Sequence, residues 1–511
     1  MPRWLSLLAL LSALCAVVAL FGLWPVYGFD LFMHLTVGRW IWHHGIPYTD
    51  VFSYMSPGEL FLAHSWLAEI VFYGVEQAPA ALQRSEPTYT HLGFKVLRLA
   101  LIGTAVLCAV RVARCFTAPW PILMLLAPWV FAILWARVEV RPYLFSTVFL
   151  ALELFVLMSV HTGHRSWRWL WTLPPLFAVW VNTHGGWING LAMLMVVISA
   201  QVVMVWRNLL SFRGLNSQSI TLLLVLCACV LALLVNPYGL ALLIHPFHMQ
   251  AGWIRARGIE WNAPWLEAEW SILIPGRIIS LRLPFLVYAA LLAAIVLMAL
   301  RRWRTADLVP PVVIALWLAL SMRHLRAVGD AVLLTAPLVA AALGSAWWNR
   351  PWPAHVGMGL GLALLLGGAA VTAWIPTRFR GMDAYQPPSV AAAFERLALS
   401  GHVFAPDLNH WLLWKFHPRV TVDEVWEYVH GPQRTAERDA ALADGIRTLL
   451  SHLERYQVDV VVLDYRRDLR GPALAARGWI VAHRDPRWVI LVRHPSRRAF
   501  PQAHSFKSLK E

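Results

Sequence analysis

The first cluster of residues with chemical potential is Gly28-Phe-Asp30-Leu-Phe-Met-His34-Leu-Thr-Val-Gly38-Arg39, directly after the first apolar run. Asp30 and His34 are four apart, so a helix would put them on one face, with Arg39 one or two turns further on. A carboxylate so placed can take the proton from a hydroxyl, while nearby basic groups hold a phosphate. Asp30 would serve equally as the cap of the helix that follows it. Asp50, in Pro47-Tyr-Thr-Asp50-Val-Phe-Ser-Tyr54, is either a second acid for the same chemistry or the acid of a turn. His64 and Glu69, in His-Ser-Trp-Leu-Ala-Glu, form a third polar edge, which a simple interfacial contact would also explain.

Three later clusters have a similar character. They are Arg137-Val-Glu139-Val-Arg141-Pro-Tyr143, Asn182-Thr-His184-Gly-Gly-Trp-Ile-Asn189-Gly and Ser321-Met-Arg323-His324-Leu-Arg326. The planar fork of arginine suits phosphate oxygens, so Arg141, Arg323 and Arg326 are candidate anion ligands and Asn182 and His184 candidate polar contacts. Pairing of Arg141 with Glu139, or of any of the arginines with lipid phosphates, is the plainer alternative. Arg326 and Asp330 share a helical face and read as a structural pair. Glu260-Trp261 and Glu267-Ala-Glu269-Trp270 set acids beside aromatic rings that could stack on a sugar, although most of the 29 Trp residues read as interfacial anchors.

The elements that must position these groups are membrane helices. Hydrophobic residues make up 59% of the chain and charged ones 14%, and the mean hydropathy is +0.57, values foreign to a soluble surface. A hydrocarbon layer of about 30 Å calls for roughly 20 apolar residues per span. About eleven spans are legible, at 4–25, 93–112, 118–136, 142–160, 168–183, 187–206, 218–236, 283–300, 306–321, 327–347 and 355–375. Of these, 168–183 is short and 306–321 contains Pro310 and Pro311. With Met1 inside, the inner loops hold Arg3, Arg111, Arg114, Arg165, Arg168, Arg207, Arg213, Arg301, Arg302, Arg304 and Arg350 against one acid, Asp307, as the positive-inside rule requires. The loops 26–92 and 235–282 and everything after 376 then lie outside the cytoplasm. The stretch 66–80, which contains Glu69 and Glu76, reads as a half-buried interfacial helix rather than a span. The first span has the basic start of a signal peptide, but bulky Leu23-Trp24-Pro25-Val26-Tyr27 follows it, so it is expected to be retained.

Beyond residue 376 the pattern becomes that of a small α/β domain, with a disordered tail over 496–511. Helices are expected near 388–398, 407–415 and 436–455, and strands near 402–405, 419–422, 458–463, 478–483 and 487–493. The net charge of +15 lies largely in arginines at membrane edges, where anionic lipids are the natural partners; no signature points to nucleic acid. Four cysteines, Cys15, Cys108, Cys227 and Cys229, fall within spans and Cys115 at an inner edge, which leaves the outer domain without a disulfide or a thiolate metal site.

Taken in order, the motifs resemble those of bacterial GT-C-type membrane glycosyltransferase-like proteins. The resemblance rests on Asp30-x-x-x-His34-Leu-x-x-Gly38-Arg39-x-Ile41, Gly45-Ile46-Pro47-x-x-Asp50-x-Phe52-Ser53-Tyr54 and His64-x-Trp66-Leu67-x-Glu69. It continues in Arg141-Pro142, Asn182-x-His184-Gly185-Gly186, Asn236-Pro237-Tyr238-Gly239, Glu260-Trp261 and Val420-Thr-Val-Asp423. The motifs are short, and their order along most of the chain carries the specificity. The resemblance implies a multi-helix fold in the inner membrane, a long first outer loop, and inverting transfer of a hexosyl or pentosyl group from a polyprenyl-phosphate donor to a glycan, lipid or protein acceptor. An acid in that loop acts as the base, and Asp30 is the matching position. Two departures stand out. The family's paired acids are reduced here to one, so Asp50 or Glu69 would have to supply the second, and Asp423-Glu424-Val425 stands where relatives often read Asp-Gly-Arg.

On this reading His34, Arg39, His64, Arg141, Asn182, His184, Arg323 and Arg326 hold the substrate and the C-terminal domain shapes acceptor access. No cofactor is required, and a divalent metal is left open. The alternatives are an O-antigen ligase or polymerase, expected to collect its Arg and His in one late loop, and a transporter or scaffold for lipid-linked glycans, expected to show repeated halves.

Overall fold

Among the described residues the apolar runs before residue 348 fold as helices, because a helix is the simplest way to satisfy every backbone N–H and C=O within one segment. The computed structural model describes residues 30–81, 87–116, 139–208, 217–248, 271–274, 277–280, 307–324, 327–347, 386–423 and 427–493. Over 30–347 the helices are α1 (Asp30–His44), α2 (Trp66–Ala81), α3 (Pro87–Cys115), α4 (Tyr143–His161), α5 (Leu173–Val181), α6 (Trp187–Asn208), α7 (Ser217–Ala232), α8 (Leu240–His248), α9 (Val309–Arg323) and α10 (Val328–Trp347). A short antiparallel hairpin, β1 (Ser271–Ile274) with β2 (Arg277–Ser280), lies between α8 and α9. The chain divides into two units, one of residues 1–26 and 64–379, the other of 27–63 and 380–511.

In the first unit α3 packs along α2, α4 and α10, α9 lies against α6 and α10, and α7 against α5 and α6. Three helices among the described residues are long and apolar enough to cross a membrane: Leu92–Cys115, Tyr143–His161 and Trp187–Met204. The expected spans 4–25, 118–136, 283–300 and 355–375 lie outside the described residues. The expected span 168–183 is corrected to two short pieces, a 3-10 helix over Trp167–Thr172 followed by α5. Pro174 and Pro175 occupy the first turn of α5, where the missing N–H costs nothing, so a new helix starts there. Its nine residues rise only about 14 Å. Pro310 and Pro311 likewise fall in the first turn of α9, not in its middle. The backbone N–H of Val309 there donates to Asp307 Oδ1 at 3.0 Å.

The second unit is α/β. Its elements are α11 (Pro388–Arg396), β3 (Gly401–Phe404), α12 (Asn409–Phe416), β4 (Val420–Val422), α13 (Glu427–Ala443), α14 (Ile446–Arg455), β5 (Val460–Asp464), α15 (Gly471–Ala475), β6 (Trp479–Arg484) and β7 (Trp488–Arg493). The sheet runs β4-β3-β5-β7-β6, with β4, β3 and β5 parallel and β7 and β6 antiparallel. β5 is central and buried at every residue, which is why it is apolar from Val460 to Leu463. The single helix expected over 436–455 is two, α13 and α14, parted at Asp444-Gly445.

Residues 27–63, read from the sequence as part of the long outer loop 26–92, group with this C-terminal unit. Phe52, Ser53 and Tyr54 add a parallel bridge outside β4: the Tyr54 N–H donates to the Val422 carbonyl at 3.0 Å and the Val422 N–H to the Phe52 carbonyl at 3.2 Å. Tyr54 and Met55 then enter the apolar core beside Phe404, Leu449, Leu453, Val461 and Leu491.

Candidate functional site

Asp30 stands in the first turn of α1, where the unpaired N–H groups and the helix dipole favour a carboxylate. The eight residues that follow it are all buried. α12 packs along it. His410, in the first turn of α12, places Nδ1 3.7 Å from Asp30 Oδ1; the carboxylate is 27% exposed and the imidazole 9%. Further along α1, the Arg39 guanidinium lies 4.6 Å above the Trp414 ring and donates to the His417 carbonyl at 3.4 Å. His417 in turn donates from Nε2 to the Val51 carbonyl at 3.2 Å. Burial, with Arg39 and His44 nearby, holds the pKa of His417 below the ordinary histidine value, against the opposing effect of the Val51 bond. His34 is buried on the same helix.

Asp50 takes the form of a turn acid. Its Oδ1 accepts the N–H groups of Phe52 at 2.9 Å and Ser53 at 3.1 Å, an Asx arrangement. Its Oδ2 accepts the Ser56 hydroxyl at 2.6 Å, and Ser56 Oγ lies 2.9 Å from His430 Nδ1. The hydroxyl proton is committed to Asp50, so His430 is the donor to Ser56. This chain ties the loop to α13. Burial raises the pKa of Asp50 in spite of these hydrogen bonds. Asp423, at the end of β4, is fully buried, and Arg438 Nε donates to its Oδ2 at 2.6 Å.

The remaining sequence candidates lie in the other unit. Asn182 accepts the Trp66 indole N–H at 2.7 Å and donates to the carbonyls of Ala178 and Val235, at 2.7 and 2.6 Å. It thereby joins the start of α2, the end of α5 and the turn after α7. His184 Nδ1 accepts the Gly186 N–H at 3.0 Å and lies 2.7 Å from Ser146 Oγ. That oxygen itself accepts the Trp180 indole N–H at 2.8 Å. Nδ1 is therefore the acceptor, and the ring proton sits on Nε2. A side chain at Gly186 would collide with Ser146, so glycine is required for this approach. Glu69 is buried in the first turn of α2. His64 packs against the His245 ring at 4.9 Å; burial, with His248 nearby, lowers the His245 pKa to about 4. Arg141 pairs with Glu139 at 2.8 Å, and Arg323 is exposed at the end of α9. Asp330 accepts the Thr147 hydroxyl at 2.8 Å. Arg326, Arg137 and the 249–270 acids and aromatics lie outside the described residues.

The structure thus gathers Asp30, His34, Arg39 and Asp50 in one unit and His64, Glu69, Arg141, Asn182, His184 and Arg323 in the other. Sequence reasoning missed His410, Trp414 and His417. Their signal was the run Asn409-His-Trp-Leu-Leu-Trp-Lys-Phe-His417, dense in rings and placed before a strand. Among the described residues no group of three or more His, Cys, Asp or Glu side chains converges as a metal ion would need.

No family model matches the chain, and no curated protein matches its sequence. Solved structures do match its fold. The archaeal oligosaccharyltransferase AglB from Archaeoglobus fulgidus, in complex with an inhibitory peptide and a dolichol-phosphate, aligns with a TM-score of 0.55 at 12% identity, covering 93% of this chain and 71% of that one. The Archaeoglobus fulgidus oligosaccharyltransferase in complex with Zn and sulfate aligns with a TM-score of 0.52 at 12% identity, over 92% of this chain and 69% of that one. ArnT from Cupriavidus metallidurans bound to undecaprenyl phosphate gives 0.50 at 13% identity, covering 96% of this chain and 98% of that one. The multi-helix fold that the sequence resemblance implied is shared with these neighbours. At such identities the likeness is one of fold.

Proposed function

We propose that the chain is an inverting membrane glycosyltransferase that moves a sugar from a polyprenyl-phosphate donor to an acceptor at the outer face of the inner membrane. The observation that carries this reading is the fold likeness along nearly the whole chain to AglB and ArnT, whose structures hold dolichol-phosphate and undecaprenyl phosphate. Asp30, at the start of a helix just after the first apolar run, is the acid in the right place.

In the reaction Asp30 takes the proton of the acceptor hydroxyl as its oxygen attacks the anomeric carbon. The bond from that carbon to the phosphate oxygen breaks, and polyprenyl phosphate leaves with the electron pair. Arginine guanidinium groups, with Arg323 and Arg326 first among them, balance the charge on the leaving phosphate.

The test is native mass spectrometry of the protein purified in mild detergent. A co-purifying polyprenyl phosphate that is lost when Arg323 and Arg326 are both changed to Ala supports the reading. Bulk phospholipid alone would overturn it in favour of a scaffold or transporter.

A further inference from the structure

We propose that His410 is a positioning residue for Asp30, so that the C-terminal unit supplies the group that sets the catalytic carboxylate. This inference rests on the transferase reading above. The contact of 3.7 Å between His410 Nδ1 and Asp30 Oδ1 is too long for a hydrogen bond but within ion-pair range. It is made from a buried imidazole to a carboxylate that remains partly open, the arrangement needed for a base that must meet substrate on one side and be held on the other. The backbone that carries the imidazole is held. The His410 backbone N–H donates to Asn409 Oδ1 at 2.8 Å, and α12 lies against α1.

α12 also grips the far part of α1, through Trp414 under Arg39 and the His417 carbonyl at the Arg39 guanidinium. Asp30 and Arg39 are nine residues apart, about 14 Å along a helix. The Arg39 contacts and the packing of α12 secure the helix, and the His410 contact is made to the Asp30 carboxylate itself. Loss of His410 therefore changes the orientation of Asp30 without releasing α1. Displacements of about 1 Å at a reacting group cost up to about 100-fold in rate.

The experiment measures free polyprenyl phosphate by mass spectrometry. This leaving group is common to every donor of the proposed class. Solubilised membranes of the native cells, deleted for this protein, supply donor and acceptor, and the full-length chain is added in detergent. Their concentration is varied to separate kcat from apparent KM. Wild type releases polyprenyl phosphate and Asp30→Asn reduces release by about 10²-fold or more. His410→Ala lowers kcat by about 10- to 100-fold with apparent KM little changed. His410→Asn, whose amide nitrogen reaches the place of Nδ1, recovers most of that loss.

His410→Ala with wild-type kcat, a loss confined to KM, or His410→Asn as slow as His410→Ala while both remain folded by size exclusion, would each overturn the proposal. No release by wild type, or release unchanged in Asp30→Asn, would instead bring down the transferase reading and this inference with it. The arms thus separate the two failures.

Discussion

The carboxylate of Asp423 is fully buried, and among the described residues its Oδ1 makes no hydrogen bond. Its charge is answered by Arg438, whose Nε donates to Oδ2 at 2.6 Å and whose side chain is 8% exposed. Arg438→Met keeps most of the aliphatic stem and strands the carboxylate. Removing one partner of a buried pair costs about 3–5 kcal/mol, most of it the cost of the charge left behind. The same substitution should not touch the membrane helices, since α13 belongs to the other unit.

Hydrogen exchange of the full-length chain reads this directly, because the slowest amides of a cooperative unit report its opening free energy. The amides of β5, central and buried throughout, should exchange about 10²- to 10⁴-fold faster in Arg438→Met, while those of α4 stay unchanged. The double variant Asp423→Asn/Arg438→Met removes the charge as well as its partner and should recover much of the loss. A change of less than about tenfold in β5, or a double variant no better than the single one, would refute the argument. Asp423 would then be solvated or neutral, and the buried pair would not be what holds β4 to α13.

Gly190→Ala would place a Cβ 2.5 Å from the Trp180 ring and 2.7 Å from Glu153 Oε2, in the packed interior around α4. Overpacking of this kind costs about 1–3 kcal/mol, expected as a lower melting temperature in detergent with unit 27–63/380–511 unaffected; an unchanged melting temperature would mean that the helices part freely. Asp50→Asn tests the sign of a buried acid. Burial raises the pKa of Asp50 above the ordinary 3.8, so the folded state holds the proton more tightly, and stability falls as pH rises from 3.8 towards the raised value. Denaturant midpoints should therefore show Asn gaining on Asp across that window, and a wild type that gains on the variant instead would show that the Asx hydrogen bonds outweigh burial.

The elements were legible where one physical signal dominated. The apolar run at Val458–Leu463 could be little else than a buried strand, and β5 lies there. Asp30, His34 and Arg39 could be placed on a helix from spacing alone, and α1 spans them. Where two rules competed the reading failed. Pro174 and Pro175 sit inside an apolar stretch, and hydropathy alone joined what proline chemistry divides into a 3-10 piece and α5. Gly445 ends α13 and starts α14 for a similar reason. The grouping of 27–63 with the C-terminal unit was not legible at all. It depends on Phe52–Tyr54 pairing with β4, more than 360 residues away in sequence, and no local pattern encodes a partner at that distance.

The same long-range pairing bears on the missing second acid. From sequence, Asp50 or Glu69 had to supply it. Asp50 holds two backbone N–H groups and the Ser56 hydroxyl. A histidine from α12 lies beside Asp30. On the proposed reading His410 holds the one acid in its working orientation, and no second carboxylate is needed to place the base.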